Sequence, residues 1–296
     1  MQPQYQNQHR VSQVYLRQFG YYNSDEWKVS VYRLGHISTE NIAIEKFTAD
    51  FNIFDAPYGD IAFRRNFEIQ CGRIENYYPT IISNLENQKQ LTPKNIEVLC
   101  HFMASLLSRS IPFTDFIQMI LRHDQAKARF IDEICMFNDH RDMLTQILNT
   151  IPVENQLNTI LGTITAHLVE VFRHFNFLVI KKPTHISWMT SDNPVVVDKK
   201  GNMEWLISVD SEIYLPLSRE FCLFCFHEEA NDVTNPLRNL KEKRVNKISF
   251  EHFEILQKKI SDNLSKFLVM PIFLEDSELE IPEEHKHKFS GRENDN

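Results

Sequence analysis

The residues best able to do chemistry near the start of the chain are His9 and Gln13, in His9-Arg10-Val11-Ser12-Gln13-Val14-Tyr15-Leu16. This spacing puts the imidazole just ahead of a helix and the amide on its first turns. A histidine there titrates near neutrality and can serve as acid, base or anion contact; capping or packing is the plainer role. A second polar cluster, Thr190-Ser191-Asp192-Asn193-Pro194, lies between two apolar runs. A loop held by strands is a good platform for a carboxylate such as Asp192, although Asp and Asn also bond to nearby backbone and Asn193 before Pro194 favours a simple turn. Arg109 ends an apolar helix in Leu106-Leu107-Ser108-Arg109-Ser110-Ile111-Pro112. Its guanidinium can fork onto phosphate or carboxylate, or merely cap the helix C-terminus. Glu75, on a core-facing helix, is a natural structural ion-pair partner for it.

Three further patterns carry less. His167, Glu170 and His174 line one helical face at i, i+3 and i+7, a set that could hold zinc or iron but lacks the HExxH spacing, so a solvated face is preferred. Cys222-Leu223-Phe224-Cys225 supplies too few zinc ligands alone and sits in an apolar strand, which favours buried thiols. The basic group Lys241, Lys243, Arg244 and Lys247 is interleaved with Glu242 and has no aromatic platform, so it reads as a solvated face. No metal site and no cofactor emerge.

The elements that must position these residues are helical first and extended later. Helical spacing covers Val11 to Phe19, Phe67 to Leu85, and a stretch opened by Thr92-Pro93 and closed by Pro112. It resumes from Thr114-Asp115 through Phe137 with a break near Asn138-Asp139, and again from about Glu154 to Phe175. A strand is expected at Trp27 to Leu34, and an irregular aromatic stretch at Phe47 to Tyr58. Beyond Asn176 the period becomes extended. Phe177 to Ile180 and His185 to Thr190 read as a hairpin, followed by strands at Val195 to Val197, Trp205 to Val209, Ile213 to Leu217 and Phe221 to Phe226. Asn246 to Phe267 reads as one more helix. The expectation is a single α+β domain over 1–270, with a helical part at about 8–176 and an antiparallel sheet part at about 177–270, then a charged tail at 275–296.

Composition excludes several classes. The seven glycines among 296 residues are too scattered for GxGxxG or GxxxxGK[ST], which removes the usual dinucleotide and phosphate loops. Forty acidic against thirty-two basic residues give a net charge of -8, unlike a basic nucleic-acid-binding module. Five widely spaced cysteines suit reduced thiols rather than a disulfide framework. The polar, Gln-rich start has no secretory apolar region, and no run approaches the roughly 18 to 20 apolar residues of a membrane span. A cytoplasmic protein with no membrane partner is expected; the oligomeric state is open.

Several of these motifs together resemble the domain of unknown function 4238 family. Its members open with His-x-x-Pro-Gln-x-Tyr-Leu-x-x-Phe, to which His9 through Phe19 is similar, with Ser12 in the place of the proline. Trp27 to Tyr32, Ile74-Glu75, Arg109 with Pro112, Ser191-Asp192-Asn193-Pro194-Val195 and Leu215-Pro216-Leu217-Ser218 follow in the family's order, so the resemblance spans about Asn7 to Phe267. It implies that His9, Gln13 and Asp192 belong to one site, and carries no established activity. Two functions are expected from different classes. One is a hydrolase cutting phosphodiester bonds in RNA, DNA or a nucleotide, a nuclease-like toxin or phage-defence effector by loose family association. In it His9 is the acid or base, Asp192 orients it or activates water, Arg109 stabilises anionic charge, and Gln13 and Asn193 position substrate. The alternative is a non-enzymatic sensor or interaction protein in which the same residues form a structural hydrogen-bond network.

Overall fold

The computed structural model describes residues 6–36, 39–198, 207–230 and 234–270. In chain order, β1 (Asn7–His9) and α1 (Gln13–Leu16) precede β2 (Tyr21–Asn23), β3 (Glu26–Arg33), β4 (Thr39–Ala43) and β5 (Ala49–Phe51). Eight helices follow: α2 (Ile61–Arg64), α3 (Asn66–Glu75), α4 (Tyr78–Gln88), α5 (Pro93–Arg109), α6 (Ile111–Leu121), α7 (Asp124–Ile134), α8 (Arg141–Thr150) and α9 (Val153–Arg173). The rest is β6 (Phe175–Lys181), β7 (Thr190–Ser191), β8 (Val196–Asp198), β9 (Glu212–Pro216), β10 (Phe221–His227), a short 3-10 turn, β11 (Val245–Lys247), α10 (Phe250–Asp262) and β12 (Phe267–Met270). The chain is a mixed α+β fold. Among the described residues, no helix is long and apolar enough to cross a membrane.

The central helix α5 starts where Thr92-Pro93 demands. The Thr92 hydroxyl accepts the Asn95 amide at 3.1 Å and the Asn95 side chain accepts the Thr92 amide at 3.0 Å, so two otherwise orphaned donors are satisfied. From Leu99 to Arg109 every residue of α5 except His101 is buried, and the helix packs against α3, α6 and α9. Beyond it, β6 and β10 pair over seven residues, Phe175↔His227 to Lys181↔Phe221, and β9 and β8 extend the sheet in order β11-β6-β10-β9-β8. Their near-continuous apolar runs, FNFLVIK and FCLFCFH, are those of strands covered on both faces.

The structure corrects several expectations. The single helix expected from Phe67 to Leu85 is two, because Pro79 has no amide to donate to Glu75 and instead occupies the first turn of α4. Pro112 likewise opens α6 rather than ending α5, which stops at Arg109, and α6 begins at Ile111 instead of Thr114. The hairpin of Phe177–Ile180 with His185–Thr190 does not form. The flanks of β6 are taken by β10 and by parallel β11, and β7 pairs with β12 in another sheet. The stretch Asn246 to Phe267 is helical only in α10, with β11 before it and β12 after. The C-terminal region is thus not one antiparallel sheet of its own: β12 pairs with N-terminal β3, giving a second sheet of β2, β3, β4, β12 and β7. The expected strand at 205–209 lies partly outside the described residues and is not extended over 207–209; the expected tail at 275–296 lies wholly outside them.

Candidate functional site

The two-stranded pair β1–β5, in register His9↔Ala49, fixes Gln8 and His9, and Arg10 follows directly after the strand. Gln8, fully buried, donates to Asp55 and accepts the Phe54 amide at 2.7 Å. Arg10 Nη1 donates to the Arg109 carbonyl at 3.1 Å, with its guanidinium over the Phe54 ring. Between them, His9 Nε2 lies 3.0 Å from the Glu45 carbonyl and 3.1 Å from Gln13 Nε2. Ser12 breaks the strand and starts α1, so Gln13 sits one helical turn from His9, as its spacing requires. With Nε2–H donated to Glu45, Nδ1 carries the lone pair and has no hydrogen-bond partner among the described residues. Burial lowers the His9 pKa, Arg109 lowers it further, and the Glu45 carbonyl partly offsets them. The net effect favours the neutral imidazole.

Arg109 is 1% exposed, and its donors are turned inward. Nε donates to the Ser105 carbonyl at 3.0 Å, Nη1 to the His9 carbonyl at 3.0 Å and Nη2 to Glu75 Oε1 at 2.6 Å; Glu68 Oε2 stands 3.9 Å from Nη1. Burial opposes the charge, but Glu75 leads the groups that outweigh it and hold the guanidinium pKa above its ordinary value. The expected Arg109–Glu75 ion pair is thus present, and it anchors the backbone of His9 to α3 and α5. Glu68, one α3 turn pair before Glu75, is raised to about 7 by burial, against Arg109 and with help from Glu75 and Asp55.

Asp192 and Asn193 have different partners. The Asp192 carboxylate accepts the Ser265 and Lys266 amides at 2.9 and 2.8 Å, and burial raises its pKa in spite of them. Asn193 and Asn263 exchange amide-to-carbonyl bonds at 3.0 and 2.9 Å. Together they fasten the end of α10 and the start of β12 to β7. No hydrogen-bond partner of these two residues is shared with His9 or Gln13. The link between the groups is Tyr15 on α1, whose hydroxyl meets Thr190 Oγ1. His9, Gln13, Glu75 and Arg109 are therefore one connected set, and Asp192 with Asn193 is another.

Of the weaker patterns, all five cysteines are buried free thiols, the basic group Lys241, Lys243, Arg244 and Lys247 is exposed, and no metal-holding group of His, Cys, Asp and Glu occurs among the described residues. His167 is buried against Phe137, with ring centroids 5.5 Å apart and Nδ1 unpartnered, and burial lowers its pKa from 6.5 to about 4. Between those values the unfolded chain binds the extra proton, so the stability is fully present above about pH 6.5 and is lost as pH falls towards 4. Urea unfolding of wild type is expected to lose about 1 to 3 kcal/mol through this residue from pH 7 to pH 4; His167→Phe should flatten that slope, and an unchanged slope would remove His167 as its cause.

Sequence reasoning missed two groups. Gln8, Asp55 and Glu68 join the His9 set; the i, i+7 spacing of Glu68 and Glu75 was the available signal. The second surrounds Glu212, fully buried in β9, which accepts Tyr214 Oη at 2.7 Å, Asn235 at 2.9 Å and Arg238 at 3.3 Å, while Lys259 pairs with Asp198 beside Tyr214. Glu212 and Tyr214 at i, i+2 of a strand must share a face, which was legible.

Neither a curated protein nor a solved structure matches the chain. One family model does, described as "Protein of unknown function (DUF4238)", over residues 7–285, a stretch that takes in both polar sets. The match covers most of the chain, and the chain belongs to the DUF4238 family.

Proposed function

We propose that the protein is a hydrolase of phosphodiester bonds in which His9 is the general base. The observation that carries this reading is an imidazole whose Nε2–H is held by the Glu45 carbonyl, with Gln13 beside it and the Nδ1 lone pair left free to accept a proton. Nδ1 would take a proton from water as its oxygen attacks phosphorus, and return it to the ester oxygen as the P–O bond breaks. Gln13 positions the ring, and Arg109 with Glu75 positions its backbone. Arg109 contacts no substrate in this reading, since it is buried and each of its three nitrogens donates to a protein acceptor, and Asp192 and Asn193 act on the scaffold. Such an activity would suit a cytoplasmic toxin-like or phage-defence effector.

The test is cleavage of RNA, single-stranded DNA and nucleotides, with and without divalent metal, by wild type and His9→Ala. The expected result is an activity that His9→Ala loses while unfolding cooperatively at a similar temperature. Retained cleavage by His9→Ala would overturn the assignment. The alternative is a non-enzymatic sensor or interaction protein in which the same polar residues form a structural hydrogen-bond network. It expects no cleavage of any substrate and early melting of both His9→Ala and Asp192→Ala.

A further inference from the structure

Helices α3 and α9 both pack on α5, and between them lies an open cleft of about 790 Å³, a volume typical of small-molecule sites. Its composition departs from that of the chain. In a protein of net charge -8, no aspartate or glutamate among the described residues lines this cleft, whereas Arg64, Arg73 and His101 do. Asp55 and Glu97 approach Arg64 and His101 from outside the lining; Arg73, exposed on α3, has no ion pair among the described residues and touches only Gln70 Oε1, at 3.5 Å. The walls are aromatic, with Phe63, Phe67 and Tyr77. Gly162 lies on the opposite wall. It is a poor residue for the middle of the 21-residue α9, and no close packing demands it, because a Cβ there would meet no atom within 4 Å. What its missing side chain leaves is room in the cleft.

Cations, aromatic faces, carboxamides and an absence of carboxylates are together complementary to a planar ring carrying a negative charge. We infer that the α3–α9 cleft is a binding site for a nucleoside monophosphate, with the base against Phe67 and Tyr77, read by Gln70 or Asn158, and the phosphate towards Arg73. The ligand class rests on the phosphodiesterase reading; the site does not, since it shares no residue with the His9 set. Phe54 nevertheless lines the cleft while its amide donates to Gln8, and Asn158 donates to the carbonyls of Ile53 and Asp55, so an occupant would bear on the segment that holds β1.

The experiment is calorimetric titration of the full chain with the monophosphates of adenosine, guanosine, cytidine and uridine, beside inorganic phosphate and benzoate. At least one nucleotide should bind, with affinity reduced about tenfold or more by Arg73→Ala and by Gly162→Phe. Arg129→Ala, which removes an equal charge from the exposed face of α7, should bind as wild type does. Absence of nucleotide binding, binding of benzoate or phosphate as tight as that of nucleotides, or binding indifferent to Gly162→Phe would overturn the site. Binding that survives in a protein with no His9-dependent cleavage would overturn the hydrolase reading alone.

Discussion

Arg109→Ala is expected to lower unfolding free energy by about 3 to 5 kcal/mol, the usual cost of breaking a buried ion pair from one side. The guanidinium is the only group that joins α5, α3 and β1 at one point among the described residues. Without it the Glu75 carboxylate and the His9 carbonyl lose this donor together, while the Ser105 carbonyl keeps the Ser108 hydroxyl. Arg109→Lys should recover little, because one ammonium cannot span three acceptors disposed around a planar fork. Arg109→Met combined with Glu75→Gln should recover more than Arg109→Met alone, since the double change removes the partly buried Glu75 charge and leaves only Glu68 beside the gap. Urea titration at pH 7 reads all four proteins. A loss below about 1 kcal/mol for Arg109→Ala would mean that the anchoring is illusory and that the residue is free for another task.

Asp192→Ala is expected to cost about 2 to 4 kcal/mol, since two amides, those of Ser265 and Lys266, lose their acceptor in a largely buried turn. Asp192→Asn keeps one acceptor oxygen and should restore no more than half. Hydrogen exchange separates this role from catalysis. Loss of the carboxylate should accelerate exchange at Ser265 and Lys266 and loosen β12, whose partner β3 carries the N-terminal half of its sheet. An Asp192→Ala protein with wild-type stability and protected amides, but no activity, would instead return Asp192 to the chemistry.

Local patterns carried much of this structure because their causes are local. Thr92 and Pro93 start α5 through hydrogen bonds three residues apart, and Trp27 to Leu34 forms β3 within one residue at each end. The i, i+4 relation of His9 and Gln13 needs only one helical turn, so that pair was legible too. Proline misled where the question was which side of it the helix lay on. Pro79 and Pro112 each sit in a first turn, and spacing alone does not distinguish a helix that stops from one that begins.

The partnerships are another matter. That β7 leaves β6 for β12, that β12 crosses to β3, and that Asp192 bonds to Ser265 and Lys266 rather than joining His9 all depend on contacts 70 or more residues apart. Strand propensity is nearly the same for either pairing, and what decides is which apolar faces can be buried together. The sequence by itself determined the start of α5, the strand β3 and the one-turn spacing of His9 and Gln13, because hydrogen bonds within a turn and alternation within a strand depend on near neighbours. Only the tertiary structure decided that Arg109 is turned inward, that Asp192 is a clasp and that the α3–α9 cleft lacks carboxylates, because burial and charge pairing are properties of surfaces that meet only when the chain has folded.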